Sequence, residues 1–318
     1  MGGEVVGIDI GGTKALAVIA AAGTDQILGS EVASSSDDGP TLVNTLAGLV
    51  AQLAAQTDCE AAAVGLGVAG LAHRSGVVHY SPNLPELIEF PIGPKLQEVL
   101  GVRVVVGNDA TAGTFAEWRH GAGQDVDNFA LVTLGTGIGT GFVVDGQLLH
   151  GASGFAGESG HMVVDARGPA HVTGQQGPWE YFASGTALGR LGREAATSGK
   201  FPWGAAEAGT VDAVTSHHVA PGAVQGEGDA LRILDAFCRE VGRGLANLVL
   251  ILDLELVVIG GGLCSIGEPL RAGVDYWLRE LLLGSDYRPP VRVALAELGV
   301  EAGALGAALT AGEILERE

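Results

Sequence analysis

The chain has 318 residues, 47% hydrophobic and only 17% charged, which excludes a disordered chain and allows a large core in about two domains of ordinary size. Thirty-seven acidic residues against 17 basic ones leave a formal net charge of −20. That field repels nucleic-acid phosphates and anionic lipid, so neither is an expected partner. A polyanionic substrate would be met by Mg2+ and backbone N–H groups, since lysine occurs only at Lys14, Lys95 and Lys200.

The chain enters an apolar run, Val5–Ile10, almost at once and without a basic leader region, so no signal peptide is expected. The run ends in Gly11-Gly12-Thr13-Lys14, a second run follows at Ala15–Ala20, and a turn near Gly23–Gln26 leads to a third strand. Glycines let backbone approach phosphate oxygens, the Thr13 hydroxyl can donate to them, and Asp9 at the strand end can hold the water shell of Mg2+. The turn lacks the GxxxxGK[ST] spacing of a Walker A loop. Ser34–Pro40 reads as a loop. Thr41–Gln56 reads as a helix, with Leu42, Leu46, Leu49 and Leu53 on one side. Val102–Val106 is the next clear strand and runs into Gly107-Asn108-Asp109-Ala110, ahead of a helix over Ala110–Arg119. Catalytic groups of α/β sheets project from strand ends. Asp109 is therefore a candidate base for an attacking hydroxyl, and the Asn108 amide can orient sugar hydroxyls as donor and acceptor together. An Asn-Asp helix cap accounts for the same pair.

About 125 residues after the first strand the plan repeats: Phe129–Leu134, then Gly135-Thr136-Gly137-Ile138-Gly139-Thr140-Gly141, then a strand over Phe142–Val144 and a turn at Asp145-Gly146. A strand follows these glycines where a dinucleotide fingerprint would have a helix. Either turn alone could be a plain hairpin. Two on one plan point to phosphate binding and a pair of similar α/β domains. Glu158-Ser159-Gly160-His161, Glu180 and the Asn83 of Ser81–Pro85 add groups that pair with vicinal hydroxyls. Pro221–Gly228 reads as a loop, and Asp229–Leu252 as a helix with Leu231, Leu234, Cys238, Val241, Leu245 and Leu248 in one stripe. The most apolar stretch, Leu245–Ile259, is cut by Asp253 and Glu255 and is too short to span a bilayer. A strand over Leu256–Ile259 ends in Gly260-Gly261-Gly262, and Ala302–Glu316 reads as a terminal helix. Cys59, Cys238 and Cys264 are too few and too scattered for a disulfide framework, which suits a reducing cytoplasm.

Taken together, DIGGTK (Asp9–Lys14), SPNLP (Ser81–Pro85), Asn108-Asp109-Ala110, GTGIG (Gly135–Gly139), GFAGESGH (Gly154–His161), YFASG (Tyr181–Gly185) and IGGGL (Ile259–Leu263) resemble the ROK family of bacterial sugar kinases and repressors, in order and separation, along nearly the whole chain. The resemblance implies an α/β fold of the actin/hexokinase type, two ribonuclease-H-like domains with the active site in the cleft between them. Domain boundaries are expected at 1–115 plus the returning helix 302–318, and at 116–301. It implies transfer of the γ-phosphoryl group of ATP, with Mg2+, to the 6-hydroxyl of a hexose, with Asp109 as base. Asn83, Asn108, Asp109, Glu158, His161 and Glu180 would bind the sugar. Gly11, Gly12, Thr13, Lys14, Thr136, Gly137, Gly260, Gly261 and Gly262 would line the nucleotide site. Glucose is the commonest substrate among similar kinases. An N-acetylhexosamine, mannose, fructose or allose is the alternative, and polyphosphate is an alternative donor. Similar kinases are often dimers.

One stretch departs from the family. Its zinc site has His161 plus three cysteines in a CxCGxxGC pattern, where this chain has His171-Val172-Thr173-Gly174-Gln175-Gln176-Gly177-Pro178. Two histidines alone make a poor structural site, so zinc is not expected, and Trp179 is a candidate anchor for the loop instead. A sugar-responsive regulator is the remaining reading. The family's repressors carry a helix-turn-helix domain ahead of the first motif, whereas eight residues precede Asp9 here, and the charge is wrong for DNA.

Overall fold

Strands buried on both faces read as nearly unbroken apolar runs, and Val5–Ile10 is of that kind. The computed structural model describes residues 3–36 and 38–316, the last of these without its side chain. In chain order the elements begin β1 (Glu4–Ile10), β2 (Lys14–Ala21), β3 (Ile27–Ser34), α1 (Gly39–Thr57), β4 (Ala61–Val68), β5 (Leu71–Ala72), β6 (Val78–Tyr80), α2 (Ile92–Leu100), β7 (Arg103–Asn108) and α3 (Asp109–His120). They continue with β8 (Phe129–Leu134), β9 (Ile138–Val144), β10 (Gln147–Leu148), α4 (Trp179–Ala183), α5 (Gly185–Thr197), α6 (Pro202–Ala208) and α7 (Ser216–Val224). Last come α8 (Gly228–Leu252), β11 (Leu256–Gly260), α9 (Glu268–Leu281), β12 (Arg292–Leu295) and α10 (Ala302–Glu316).

The chain divides into two compact units. One holds the residues up to Asp125, Gly141–Gly157 and those from Glu297 on; the other holds Val126–Thr140 and Glu158–Ala296. The expected boundary at 115/116 differs from this, because it would cut α3, a continuous helix packed along α10. The hairpin segment after Thr140 likewise groups with the first unit.

In the first unit the sheet order is β3-β2-β1-β4-β7, with β1 antiparallel to β2 and parallel to β4. Side chains alternate between its faces. Val6, Ile8 and Ile10 pack with Leu46, Leu53 and Leu96 beneath α1 and α2, while Val5 packs with Val18, Ala63, Ala304 and Ala308 beneath α10. Gly7 and Gly65 lie on the α10 face. A Cβ on either would strike the helix backbone, at Ala304 O and Ala307 O respectively, so glycine is what lets α10 lie directly on the sheet. Glu117, fully buried at the far end of α3, accepts from the backbone N–H groups of Ala122 (2.9 Å), Glu297 (3.0 Å) and Leu298 (2.9 Å).

The second sheet has the order β10-β9-β8-β11-β12, with β8, β11 and β12 parallel. Numbered from its own first strand, it repeats the order of the first sheet, as the duplicated plan in the sequence implies. Phe237, Cys238, Val241 and Leu245 form the buried side of α8, and Leu231, expected on that stripe, is 38% exposed while Ala230 and Ile233 in the same turn face the core. Trp179 is fully buried and donates from Nε1 to Glu240 O on α8 (2.9 Å), the anchoring expected of it. Two local expectations fail. The glycine run continues as strand from Ile138, since glycine does not prevent extended pairing, and Pro221 lies inside α7, a helix packed against α5 and α8. No helix among the described residues is long and apolar enough to cross a membrane.

Candidate active site

Parallel strands deliver their C-terminal ends to one edge of a sheet, and the chemistry-bearing residues of the first unit collect there. Asp9 lies near the end of β1, opposite Gly67 of β4, and Asn108 closes β7 opposite Val68. Asn108 caps α3: its Oδ1 accepts from Thr111 N (3.0 Å) and its Nδ2 donates to Gly70 O (3.4 Å). The cap reading of the sequence thus holds, and it leaves one amide hydrogen and one lone pair for a ligand. Asp109 is the first residue of α3. Its Oδ1 accepts from Ala110 N (2.8 Å), and the helix N-terminus favours its charge. Burial nevertheless pushes its carboxyl above the ordinary range, with the Ala110 amide opposing.

Asp9 is also raised, to about 7, first by burial and then by repulsion from Asp109, with Lys14 pulling the other way. Gly303 of α10 abuts it, where a Cβ would come within 2.9 Å of its carboxylate. Two neighbouring carboxylates that burial makes costly to ionise are a donor set that a dication relieves. The turn between β1 and β2 is closed by Gly11 N donating to Lys14 O (3.0 Å), leaving Gly12, Thr13 and Lys14 exposed. The Asn83 backbone lies against Gly12, where a Cβ would meet Asn83 O at 2.9 Å. Asp9, Gly11–Lys14, Asn83, Asn108 and Asp109 therefore all belong to the first unit.

The second unit gathers the others. Gly260 pairs with Thr133, so the Gly135–Gly137 and Gly260–Gly262 turns leave adjacent parallel strands side by side. Gly135 N donates to Gly137 O (3.0 Å), and Thr136 is exposed with its carbonyl accepting from Thr186 Oγ1 (2.8 Å). Glu158 precedes a single 3-10 turn, Ser159–His161, that sets His161 Nε2 3.8 Å from Glu158 Oε2. Glu180, in the first turn of α4, accepts from Ile138 N through Oε2 (2.7 Å). Gly137 leaves that oxygen its room, since a Cβ there would collide with it.

Sequence reasoning did not place His171 in this set. Its Nε2 lies 3.3 Å from Glu180 Oε1 and its ring 6.4 Å from that of His161. Gln175 also enters, donating from Nε2 to His161 O. The missing cysteines marked this loop as unusual, but nothing local said where its imidazole goes.

The ROK family model matches residues 5–314. The chain is 34% identical to a glucokinase of Streptomyces coelicolor over 98% of both chains. It is 32% identical to an N-acetylmannosamine kinase of Citrobacter koseri over 97% of this chain and 98% of that one. Among solved structures, a ROK family glucokinase from Streptomyces griseus in complex with glucose and AMPPNP matches with a TM-score of 0.87 and 33% identity, over 98% of this chain and all of that one.

Proposed function

This chain belongs to the ROK family of actin/hexokinase-like fold, and from that premise we propose that it is an ATP-dependent glucokinase making glucose 6-phosphate. The observation that carries the chemistry is Asp109, a carboxylate raised by burial at the first position of α3, beside Asp9. Phosphoryl transfer needs an acceptor hydroxyl held in line, a base for its proton, and neutralisation of the transferring charge. Asp109 takes the hydroxyl proton: one oxygen is held by Ala110 N, leaving the other for the 6-hydroxyl. A carboxyl raised by burial is, once ionised, a better proton acceptor than a solvated aspartate. Asn83, Asn108, Glu158, His161 and Glu180 bind the remaining hydroxyls. Gly11, Gly12, Thr13 and Lys14, with Thr136, Gly137 and Gly260–Gly262, receive the nucleotide. Mg2+ fits the Asp9 carboxylate through its water shell, and when bound it supplies charge neutralisation for the phosphates.

Glucose is favoured over other hexoses by the S. coelicolor and S. griseus relatives, and by a donor–acceptor set that a fully hydroxylated pyranose satisfies. A sugar lacking one hydroxyl leaves a polar group unpaired at about 1–3 kcal/mol. The C. koseri relative makes an N-acetylhexosamine the second reading. The test is kcat/KM by coupled ADP release for glucose, mannose, fructose, allose, N-acetylglucosamine and N-acetylmannosamine at fixed ATP. Glucose should lead. Another sugar ahead by tenfold refutes glucose as substrate, and turnover of none refutes the kinase.

A further inference from the structure

The segment between Pro169 and Pro178 is built without metal. His171 N donates to Gln175 O (2.8 Å), Gly174 N to His171 O (2.9 Å) and Gly177 N to Pro169 O (2.9 Å), and Ala170 bridges Gln176. Gly177, at φ +60°, is pressed against the Asp165 carbonyl so closely that no side chain fits, and Val163 bridges Pro178. The result is a small hairpin that aims one imidazole inward. His171 and Glu180 are only 14% and 18% exposed.

Zinc does not fit this loop. Where the family has thiolates the chain offers Thr173 and Pro178, neither of which is a zinc ligand at neutral pH. Both nitrogens of His171 already face partners: Nδ1 meets Thr173 Oγ1 (3.1 Å) and Nε2 meets Glu180 Oε1 (3.3 Å). The tautomer with the ring proton on Nε2 lets Nδ1 accept from the threonine hydroxyl and turns the proton toward Glu180. Glu180 thus has a neighbour at each oxygen: Oε2 accepts from the Ile138 amide, and Oε1 lies 3.3 Å from His171 Nε2.

We propose that His171 is a positioning residue for Glu180, and that this hairpin sets sugar affinity through that contact in place of a metal-held loop. The inference rests on the reading of Glu180 as a sugar ligand. A carboxylate held from two sides presents its free lone pairs in one direction, so a sugar bound there loses less to reordering. Removing one hold lets the carboxylate swing without removing it.

The experiment is equilibrium glucose binding by calorimetry, with kcat measured alongside, on the full chain. His171→Ala should weaken glucose binding about tenfold, while kcat and the KM for ATP change less than about threefold. His171→Gln, which restores a donor near the Nε2 position, should recover most of the loss. Thr173→Val, which frees only the far side of the ring, should lose less than His171→Ala. On a Glu180→Gln background, His171→Ala should cost little more, because the contact it served is already changed. Added zinc or a chelator should leave wild-type glucose affinity unchanged. Unaltered glucose binding in His171→Ala, fully additive losses with Glu180→Gln, or zinc-dependent affinity would each overturn the proposal while leaving the kinase intact. If His171→Ala does not fold, the Gln and Val variants decide by the same criteria. A wild-type protein that neither binds nor phosphorylates any hexose removes the kinase reading, and this inference with it.

Discussion

Replacing Asp9 with asparagine should stabilise the unliganded protein above neutral pH while abolishing its kinase activity. In the folded chain the Asp9 carboxyl is pushed up to about 7 from an ordinary 3.8, by burial foremost and by Asp109 second. Each pKa unit corresponds to about 1.4 kcal/mol, so the upper bound is about 4 kcal/mol, and about 2–4 kcal/mol is expected for a group that still meets some solvent. The sign follows from linkage. Below about pH 4 the carboxyl is protonated whether folded or unfolded, and it costs nothing. Between about pH 4 and 7 the unfolded chain releases its proton and the folded one keeps it, so stability falls as pH rises, levelling off above about 7. The asparagine variant has no such loss at this position. Urea unfolding at pH 4.5, 6 and 8, followed by circular dichroism, should show the two proteins diverging over that window, with the variant ahead at pH 8. Parallel curves would refute the reasoning, because they would mean Asp9 titrates alike in both states. Asp109→Asn should move the Asp9 transition downward by removing its second cause.

Three more outcomes are expected. Asp109→Asn should lower kcat by at least about 100-fold with a much smaller change in sugar affinity, as expected for loss of a positioned base, and near-normal turnover in a folded variant would exclude that role. Glu117→Ala should cost about 2–4 kcal/mol in chemical denaturation, because three partly buried amide donors lose one fully buried acceptor together; a loss under about 1 kcal/mol would show that water replaces it. Purified protein should carry well under one zinc per chain by elemental analysis and should not unfold in chelator, whereas turnover should require Mg2+.

What the sequence disclosed here is what local chemistry encodes. Val5–Ile10 followed by Gly11-Gly12-Thr13, and Phe129–Leu134 followed by Gly135, announce their hairpins within a dozen residues, and the two sheets do share one strand order. The position of Asp109 at the sheet edge was legible because an apolar strand that ends in two adjacent polar residues delivers them there. Other features depend on partners far along the chain. Gly7 resembles any strand glycine until α10, some 300 residues later, is laid on it. Glu117 reads as one more acidic residue on a helix, yet its partners at Glu297 and Leu298 make it a buried junction. His171 belongs with these: its loop was marked only by missing cysteines, and its direction is set by a hairpin with no strong turn signal. Pro221 misled in the opposite sense, since its residue type argued for a loop and the packing of α7 kept the helix.

The position of α10 in the chain bears on how the protein is made. Gly7, Gly65 and their neighbours on β1 and β4 are covered by a helix translated after everything it covers. At about 5–20 residues per second, the roughly 230 residues between β4 and α10 take about 10–50 s to emerge from the ribosome. Throughout that interval the first sheet has α1 and α2 available for one face, while the other has α3 but leaves Gly7 and Gly65 uncovered. The nascent chain must wait in a half-built state, and a premature stop anywhere before Ala302 yields a product with a sticky face and no means of covering it. Truncation before Ala302 should therefore destabilise the first unit far more than the small size of α10 suggests.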